Sequence, residues 1–366
     1  MIVKSLKLKN FRNYELLNLE FDHATNIFYG DNAQGKTNIL EAIYLSGTTK
    51  SHRGTKDRDM IQFGHEESHI ETVVEKNGVP FKIDMHLKKN SPKGIAINKM
   101  PIRKASELFG IINIVFFSPE DLNIIKNGPA ERRRFIDLEL AQLDKVYLSD
   151  LSNYNRVINQ RNKLLKDVYN REELLETLEI WDFQLIQYGN RIIERRKVFI
   201  EQVNEIIAEV HTKLTGGKEN LKLYYEPGTG HLDLEKALLK NRERDIRMKS
   251  TSVGPHRDDI CFMTGDLDIR KFGSQGQQRT AALSLKLSEI ELVKKIIKDT
   301  PILLLDDVLS ELDKHRQNYL LDSIRDVQTL ITCTGLDDFV NHRFSINKML
   351  YVKQGAVDVQ RQPLNN

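Results

Sequence analysis

The segment "GDNAQGKT" at residues 30–37 decides the fold, because it fits the pattern G-x-x-x-x-G-K-[ST] in the setting that this pattern requires. The apolar stretch "TNIFYG" before it predicts a short buried strand, and "NILEAIYL" after it has helical spacing. Glycines let backbone N–H groups converge on phosphate oxygens, and the helix N-terminus adds a favourable dipole. The segment therefore predicts a phosphate-binding loop between a strand and a helix, rather than a chance glycine turn.

Two side chains at the end of this loop would supply its charge chemistry. Lys36 is predicted to neutralise the β- and γ-phosphates of ATP, and the hydroxyl of Thr37 to ligate Mg²⁺. ATP and Mg²⁺ are therefore the expected cofactors. The residues predicted to bind them from this segment are Gly30, Asp31, Asn32, Ala33, Gln34, Gly35, Lys36, Thr37 and Asn38.

A second motif, "ILLLDD" at residues 302–307, supplies the acidic half of the site. A continuous apolar run that ends in acids predicts a central parallel strand, whose carboxylates lie at the edge where α/β sheets bind ligands. Asp306 is predicted to hold the Mg²⁺ shell. Asp307 is predicted to polarise the attacking water, so Asp307 and Lys36 are candidate catalytic residues.

Composition narrows the class of protein. The chain has 366 residues, 40% of them hydrophobic, which is enough for two lobes. With 55 Lys and Arg against 52 Asp and Glu, nucleic-acid binding would need a local basic surface. The two cysteines, Cys261 and Cys333, lack metal-site spacing. The longest apolar run, "IINIVFF", falls far short of the ~20 residues that span a bilayer, so we expect a cytoplasmic protein without a membrane partner.

The middle of the chain has a different pattern. No proline occurs between Pro129 and Pro227, and apolar residues step by three and four. This spacing predicts two long antiparallel helices joined near "YNREE", residues 169–173, either as an ordinary helical subdomain or as a projecting arm. The predicted architecture is an α/β ATPase head from residues 1–125 and 250–366, with a mainly helical second lobe, residues 126–249, inserted.

A glycine–glutamine loop, "GSQGQ" at residues 273–277, precedes an amphipathic helix and contains no base, nucleophile or metal ligand. The loop resembles the signature loop of the ABC ATPases. That resemblance implies that Ser274, Gly276 and Gln277 contact ATP held by a second protomer, and that Ser274 takes part in catalysis. Two ATP molecules would then lie within an isologous homodimer. The segment "SELD" at 310–313 stands where the D-loop of these ATPases runs along the interface.

Four further stretches narrow the family: "LKLKNFRNYELLNLEF", "SHRGTKDRDMIQFG", "FFSPEDLNIIKNGPAERRRFID" and "SVGPHRDD". Together they resemble the RecF family of bacterial recombination mediators, which are SMC-like ABC ATPases. The resemblance covers residues 1–140 and 250–350, in the order of the family. It implies that Arg12 approaches the nucleotide phosphates.

The same resemblance implies a function in DNA repair, DNA recombination, replication restart and the SOS response. The ATP-bound dimer would clamp double-stranded DNA next to single-strand gaps and cooperate with RecR and RecO in loading the recombinase. ATP hydrolysis would be weak, DNA-stimulated and used for release. The protein would associate with the nucleoid in the cytoplasm.

Three departures from the wider ABC pattern concern the catalytic parts. Asp307 stands where most ABC ATPases have Glu, which fits weak hydrolysis. The switch histidine that would sense the γ-phosphate is absent near "LITCTG", where Thr332 or Thr334 stands. No Q-loop glutamine occurs in "FFSPEDL", which leaves Ser118 or Glu120 as candidates to position the metal.

Basic and histidine-containing segments allow more than one interpretation. The segment "ERRRF" with its neighbour Lys126 is a candidate DNA-facing patch or a solvated helix face; its candidate contacts are Lys126, Arg132, Arg133 and Arg134. "HEESH" at 65–69 matches a zinc-protease motif, but its flanks predict a strand, where His65 and His69 would not share a face as on a helix. "GPHRDD" is a turn before a strand or part of the nucleotide or dimer site.

Two rival functions follow from the same motifs. A transporter ATPase would share the head but would lack the helical insertion and would have Glu and His in place of Asp307 and the threonine. A nucleotide-switched scaffold for repair partners would have no important DNA contact of its own, so salt-dependent duplex binding would count against it.

Overall fold

The computed structural model describes residues 1–168, 174–335 and 346–360. The strands are β1 Ile2–Phe11, β2 Tyr14–Glu20, β3 Thr25–Tyr29, β4 Glu67–Lys76, β5 Val79–Lys88, β6 Gly94–Ile97, β7 Met100–Pro101, β8 Ile114–Phe117, β9 Lys222–Glu226, β10 Asp259–Thr264, β11 Leu267–Asp268, β12 Ile302–Asp306, β13 Thr329–Cys333, β14 Lys348–Lys353 and β15 Ala356–Gln360. The helices are α1 Lys36–Thr48, α2 Leu122–Lys126, α3 Pro129–Leu143, α4 Lys145–Val168, α5 Leu175–Leu214, α6 Leu234–Met248, α7 Ile269–Phe272, α8 Gln275–Ile297 and α9 Lys314–Ser323.

The chain forms two compact units, one of Met1–Asp121 with Glu289–Asn366 and one of Leu122–Ser288. The borders predicted from the sequence lie at 125 and 249 instead. The second unit reaches further along the chain because β10 pairs with β9, which lies within the segment that was expected to be mainly helical.

The first unit is built on a mostly parallel sheet with the strand order β15–β14–β3–β13–β12–β8. All neighbours are parallel except β15, which pairs antiparallel with β14 at the edge. The predicted central strand is confirmed, since β12 lies between β13 and β8, and Ile302–Leu305 is fully buried. Burial on both faces explains why this strand is continuously apolar.

The segment "KMLYVKQGAVDV" at residues 348–359 forms the β14–β15 hairpin. Gln354 and Gly355 occupy its turn with φ values of 47° and 76°. Two successive left-handed residues are the requirement of a tight two-residue hairpin turn, and glycine meets it without strain.

A second sheet in the same unit has the order β2–β1–β4–β5–β6–β7, with every neighbouring pair antiparallel. Leu6 and Leu8 are buried whereas Lys7 and Lys9 are exposed, because successive side chains of a strand point to opposite faces. His69 lies in β4 and faces His86 across the pair with β5, so the "HEESH" segment is not helical.

The second unit is organised by α4 and α5. Arg161 and Asp150 on α4 pair with Asp182 and Arg191 on α5, so the pairs step down one helix while they step up the other, and the two helices are antiparallel. Tyr154 and Leu165 on α4 and Leu185 and Ile192 on α5 belong to the buried apolar seam. The predicted junction near "YNREE" lies outside the described residues. No helix in the described part of the chain is long and apolar enough to cross a bilayer.

Candidate nucleotide site

The loop between β3 and α1 has the backbone that the sequence motif requires. Gly30, Ala33 and Gly35 have φ values of 144°, 63° and 114°, so the backbone turns at these three positions and can form a cradle. Lys36 is 7% exposed, and its Nζ donates to the carbonyl oxygens of Gly30 at 2.5 Å and Asp31 at 2.8 Å. The ammonium group is therefore held over the loop, where a phosphate would need it.

Parallel strand order brings the hydroxyl and carboxylate groups of the site together. Thr37 Oγ1 donates to Asp306 Oδ1 at 2.7 Å, and Thr332 Oγ1 donates to the same oxygen, also at 2.7 Å. Thr332 on β13 is the register partner of Asp306 on β12. A hydroxyl and a carboxylate oxygen beside a phosphate cradle suit a small oxygen-seeking cation, so these residues fit Mg²⁺.

Asp307 follows directly in a left-handed conformation, with φ of 53°. Its N–H donates to the backbone oxygen and the hydroxyl of Thr332, and Ser310 Oγ donates to its carbonyl oxygen at 2.9 Å. Burial raises the pKa of the Asp307 carboxyl, against the opposing effect of Lys36. Burial lowers the pKa of Lys36, and Asp307 is the leading opposing charge. The two groups are therefore electrostatically coupled.

Sequence reasoning missed the residues that brace the loop. Asn13 Nδ2 donates to the carbonyl oxygen of Gln34, and its Oδ1 accepts from Asn38 Nδ2 at 2.8 Å. From the β14–β15 turn, the Gln354 N–H donates to Gln34 Oε1 at 2.7 Å. A Cβ on Gly35 would lie 2.5 Å from Asn13, so this glycine is required by close packing as well as by its φ. No local signal marks Asn13, because its contacts are 21 and 25 residues away.

Arg12 lies beside this brace, but its guanidinium contacts protein groups. It pairs with the fully buried Glu41 at 2.7 Å and also donates to Thr55 Oγ1 and the carbonyl oxygen of Asp59. Burial alone would raise the pKa of the Glu41 carboxyl, but hydrogen bonds from Arg12 and Ser51 hold it below its ordinary value. An approach of Arg12 to phosphates would therefore require it to leave Glu41, and that role stays a prediction.

The signature-like loop belongs to the second unit. Ser274 Oγ accepts from the Gln277 N–H at 3.2 Å, and Gln277 Oε1 accepts from the Ser274 N–H at 2.9 Å. This reciprocal pair is a capping box at the start of α8. Ser274 and Gly276 are exposed. The loop thus presents a serine hydroxyl and a helix N-terminus outward.

The proposed DNA patch needs a correction at Arg132. This side chain is 4% exposed, forms a two-pronged ion pair with Asp259, and donates to the carbonyl oxygens of Ile124 and Asn127. A guanidinium used in this way is not available to a DNA phosphate. Arg133 is partly buried and donates to the carbonyl oxygen of Asp258.

Lys126 and Arg134, the other two candidates of the patch, are exposed.

The "GPHRDD" segment forms the polar centre of the second unit. Asp258 pairs with buried Arg196 at 2.7 Å and accepts from the Tyr225 hydroxyl. His256 Nδ1 is 2.8 Å from the Tyr154 hydroxyl, and burial lowers the pKa of His256 to about 4. The segment is therefore more than a turn before a strand, because its side chains form buried contacts inside the second unit.

Comparisons with known proteins agree with this geometry. Residues 2–356 match the family model of the RecF/RecN/SMC N-terminal domain. The DNA replication and repair protein RecF of Agathobacter rectalis is 65% identical over 359 residues, which cover 98% of this chain and 99% of that protein. The structure of the recombination mediator protein RecF-ATP in the RecFOR pathway matches with a TM-score of 0.92 at 36% identity, covering 98% of both chains.

A more distant match shows the same fold in an Smc head domain. The Smc head domain of Pyrococcus furiosus, solved with the C-terminal domain of ScpA, has a TM-score of 0.57 at 18% identity and covers 98% of this chain and 96% of that one. This likeness shows the fold alone. With a parallel sheet that places Lys36, Thr37 and Asp306 in one site, and with full-length similarity at 65% identity, the chain belongs to the RecF family of ABC-type ATPases.

Proposed function

We propose that this chain is an ATP-dependent DNA-binding protein of recombinational gap repair and replication restart. The observation that carries the proposal is the 2.7 Å contact between Thr37 Oγ1 and Asp306 Oδ1, next to the Lys36 ammonium group above the loop. These groups suit Mg²⁺ and the β- and γ-phosphates of ATP. The likeness to RecF-ATP at 36% identity supports ATP as the nucleotide.

In this site we assign Asp307 as the general base for ATP hydrolysis. Its carboxylate accepts a proton from the water that attacks the γ-phosphorus, the bond to the β–γ bridging oxygen breaks, and ADP and phosphate leave. Mg²⁺, when bound, would neutralise charge on the phosphate oxygens. Lys36 orients the phosphates and stabilises their charge. The short aspartate side chain fits a weak ATPase that works as a release switch.

The ATP-bound state is proposed to be a homodimer in which Ser274, Gly276 and Gln277 of one protomer cap the ATP of its partner. Ser274 accepts from the Gln277 N–H and keeps its own O–H proton as a donor to an anion. The dimer is proposed to clamp duplex DNA beside single-strand gaps, with RecR and RecO as partners in loading the recombinase. DNA would stimulate ATP hydrolysis.

The test is the mass in solution, measured by light scattering with and without Mg·ATP, of wild type and Ser274→Asp. Aspartate is as good a helix N-cap as serine, so this variant keeps α8 intact. It also places a negative charge against the partner's phosphates. We expect wild type to double its mass only with Mg·ATP, and Ser274→Asp to stay monomeric while it still binds ATP.

The matched control is Ser91→Asp, in the exposed turn between β5 and β6, which should dimerise like wild type. Duplex DNA is added in a second set of runs, where DNA retention should follow the dimer. Dimerisation of Ser274→Asp at the wild-type ATP concentration would contradict the proposed sandwich dimer, in which each ATP lies between the two protomers.

A second candidate is the nucleotide-switched scaffold, which one observation favours. Arg132, at the centre of the proposed DNA patch, is buried in an ion pair, so the patch has fewer available cations than its sequence suggests. Duplex retention that is insensitive to salt, or absent in the ATP-bound dimer, would support the scaffold instead.

A further inference from the structure

The turn after the long helix α5 carries an acidic side chain toward the signature-like loop. Gly216 and Gly217 have φ values of 63° and 80°, so two successive left-handed residues reverse the chain within "TGGKE", residues 215–219. Only glycine adopts this pair of conformations without strain. The turn brings Glu219 next to the N-terminus of α8.

Glu219 links two structural elements through its two carboxylate oxygens. Oε1 accepts from Gln277 Nε2 at 2.9 Å, and Oε2 lies 3.6 Å from His211 Nε2. His211 is fully buried in the last turn of α5, and its Nδ1 is 2.8 Å from Ser284 Oγ on α8. The end of α5 is therefore fastened to α8 both at the loop and two turns further along.

This contact fixes the orientation of the Gln277 amide. An ionised carboxylate only accepts hydrogen bonds, so the NH₂ group of Gln277 must face Glu219. The amide oxygen is then directed to the Ser274 N–H, from which it accepts a hydrogen bond at 2.9 Å. Without Glu219 only the Ser274 N–H would orient the amide, and the Gln277 side chain that accepts from this N–H would lose its second fixed contact.

We propose that Glu219 is a positioning residue for ATP-dependent dimerisation, acting through Gln277 to hold the loop at residues 273–277 in the conformation that caps the partner's nucleotide. This proposal rests on the proposed sandwich dimer and deepens it. It also means that the turn after α5 helps to position the loop, so the helical lobe acts on the partner's nucleotide through the Glu219 carboxylate.

The test compares Glu219→Ala, Glu219→Gln and the control Lys218→Ala, an exposed neighbour in the same turn. Dimer dissociation constants are measured by sedimentation with Mg·ATP, and ATP affinity of the monomer by titration at protein concentrations below dimerisation. We expect Glu219→Ala to weaken the dimer about tenfold, the scale of a lost charge-assisted hydrogen bond, without changing monomer ATP affinity. Glu219→Gln should recover to within about threefold of wild type, because its Oε1 can still accept from Gln277. Lys218→Ala should match wild type.

A double-mutant cycle with Gln277→Ala separates positioning from a general structural effect. If Glu219 acts through Gln277, Glu219→Ala should add nothing once Gln277 is alanine. A wild-type dimer constant for Glu219→Ala, or an equal tenfold loss in the Gln277→Ala background, overturns the proposal and leaves the sandwich dimer standing. If wild type itself does not dimerise with Mg·ATP, the proposed function fails, and this proposal fails with it.

Discussion

At the scale of single residues, Asp307 combines an unusual backbone with a polar neighbourhood. Asparagine adopts the left-handed region as readily as aspartate, so Asp307→Asn keeps the local backbone and removes only the charge. We expect ATP turnover to fall about a hundredfold, the lower end of what a general base contributes, and the ATP-bound dimer to persist longer. Single-turnover experiments measure the rate of ATP hydrolysis. Asp322→Asn, an exposed carboxylate on α9, is the control and should hydrolyse ATP normally; equal rates for both variants would remove Asp307 as the base.

His256 gives the second unit a pH-dependent stability. Its pKa is lowered by burial from the ordinary 6.5 to about 4, so the folded protein disfavours the charged imidazole. A depressed pKa stabilises the fold above the unfolded pKa, and that contribution is lost as pH falls from 6.5 toward 4. Between pH 7.5 and 5 the free energy of unfolding of wild type, relative to His256→Gln, should fall by about 2 kcal/mol. Urea unfolding across this range measures the difference, and a constant difference would contradict the assignment.

At the scale of elements, α4, α5 and α6 are joined by one buried cation. Arg161 is fully buried on α4 and pairs with Asp182 on α5 at 2.5 Å and with Asp245 on α6 at 2.7 Å. Arg161 interrupts the apolar seam of α4, and these two ion pairs are the reason. The two carboxylates lie on other helices, 21 and 84 residues from Arg161, so the local pattern could not assign the arginine its partners.

Arg161→Ala should therefore destabilise the protein by about 3–5 kcal/mol, because it leaves Asp245 buried and unpaired. Adding Asp245→Asn should recover part of this loss. Arg191→Ala removes a half-exposed arginine from the same helix pair and should cost no more than about 1 kcal/mol. Thermal or urea unfolding of the three variants measures these changes in the free energy of unfolding. Equal losses of stability for Arg161→Ala and Arg191→Ala would contradict the role of burial.

At the scale of the whole molecule, the net charge of +3 leaves DNA binding to a local surface. The exposed pair Lys126 and Arg134 is the remaining candidate, whereas Arg132 holds α3 to β10 through Asp259. The double variant Lys126→Ala/Arg134→Ala should weaken duplex retention by the ATP-bound protein. It should also reduce the slope of log affinity against log salt by about 1 for each DNA phosphate that the variant no longer neutralises.

Arg132→Ala should instead lower the free energy of unfolding, because it removes one of the two cations, Arg132 and Arg270, that pair with the partly buried carboxylate of Asp259. Binding isotherms at several salt concentrations, together with unfolding curves, separate the two effects. An unchanged salt slope for the double variant would place the DNA-binding surface elsewhere.

The sequence by itself determined the parts of this protein that depend on short-range physics. Residues 30–37 need left-handed glycines, Ile302–Leu305 is apolar because it is buried on both faces, and the spacing of apolar residues along α4 and α5 has the helical period. The tertiary structure alone decided the brace of Asn13 and Gln354 around the loop, the burial of Arg132 and the contact between Glu219 and Gln277. The reason is distance along the chain: Arg132 and Asp259 are 127 residues apart, and Glu219 and Gln277 are 58 apart. Whether a charged side chain faces a phosphate or an internal carboxylate depends on such pairings, which local pattern does not specify.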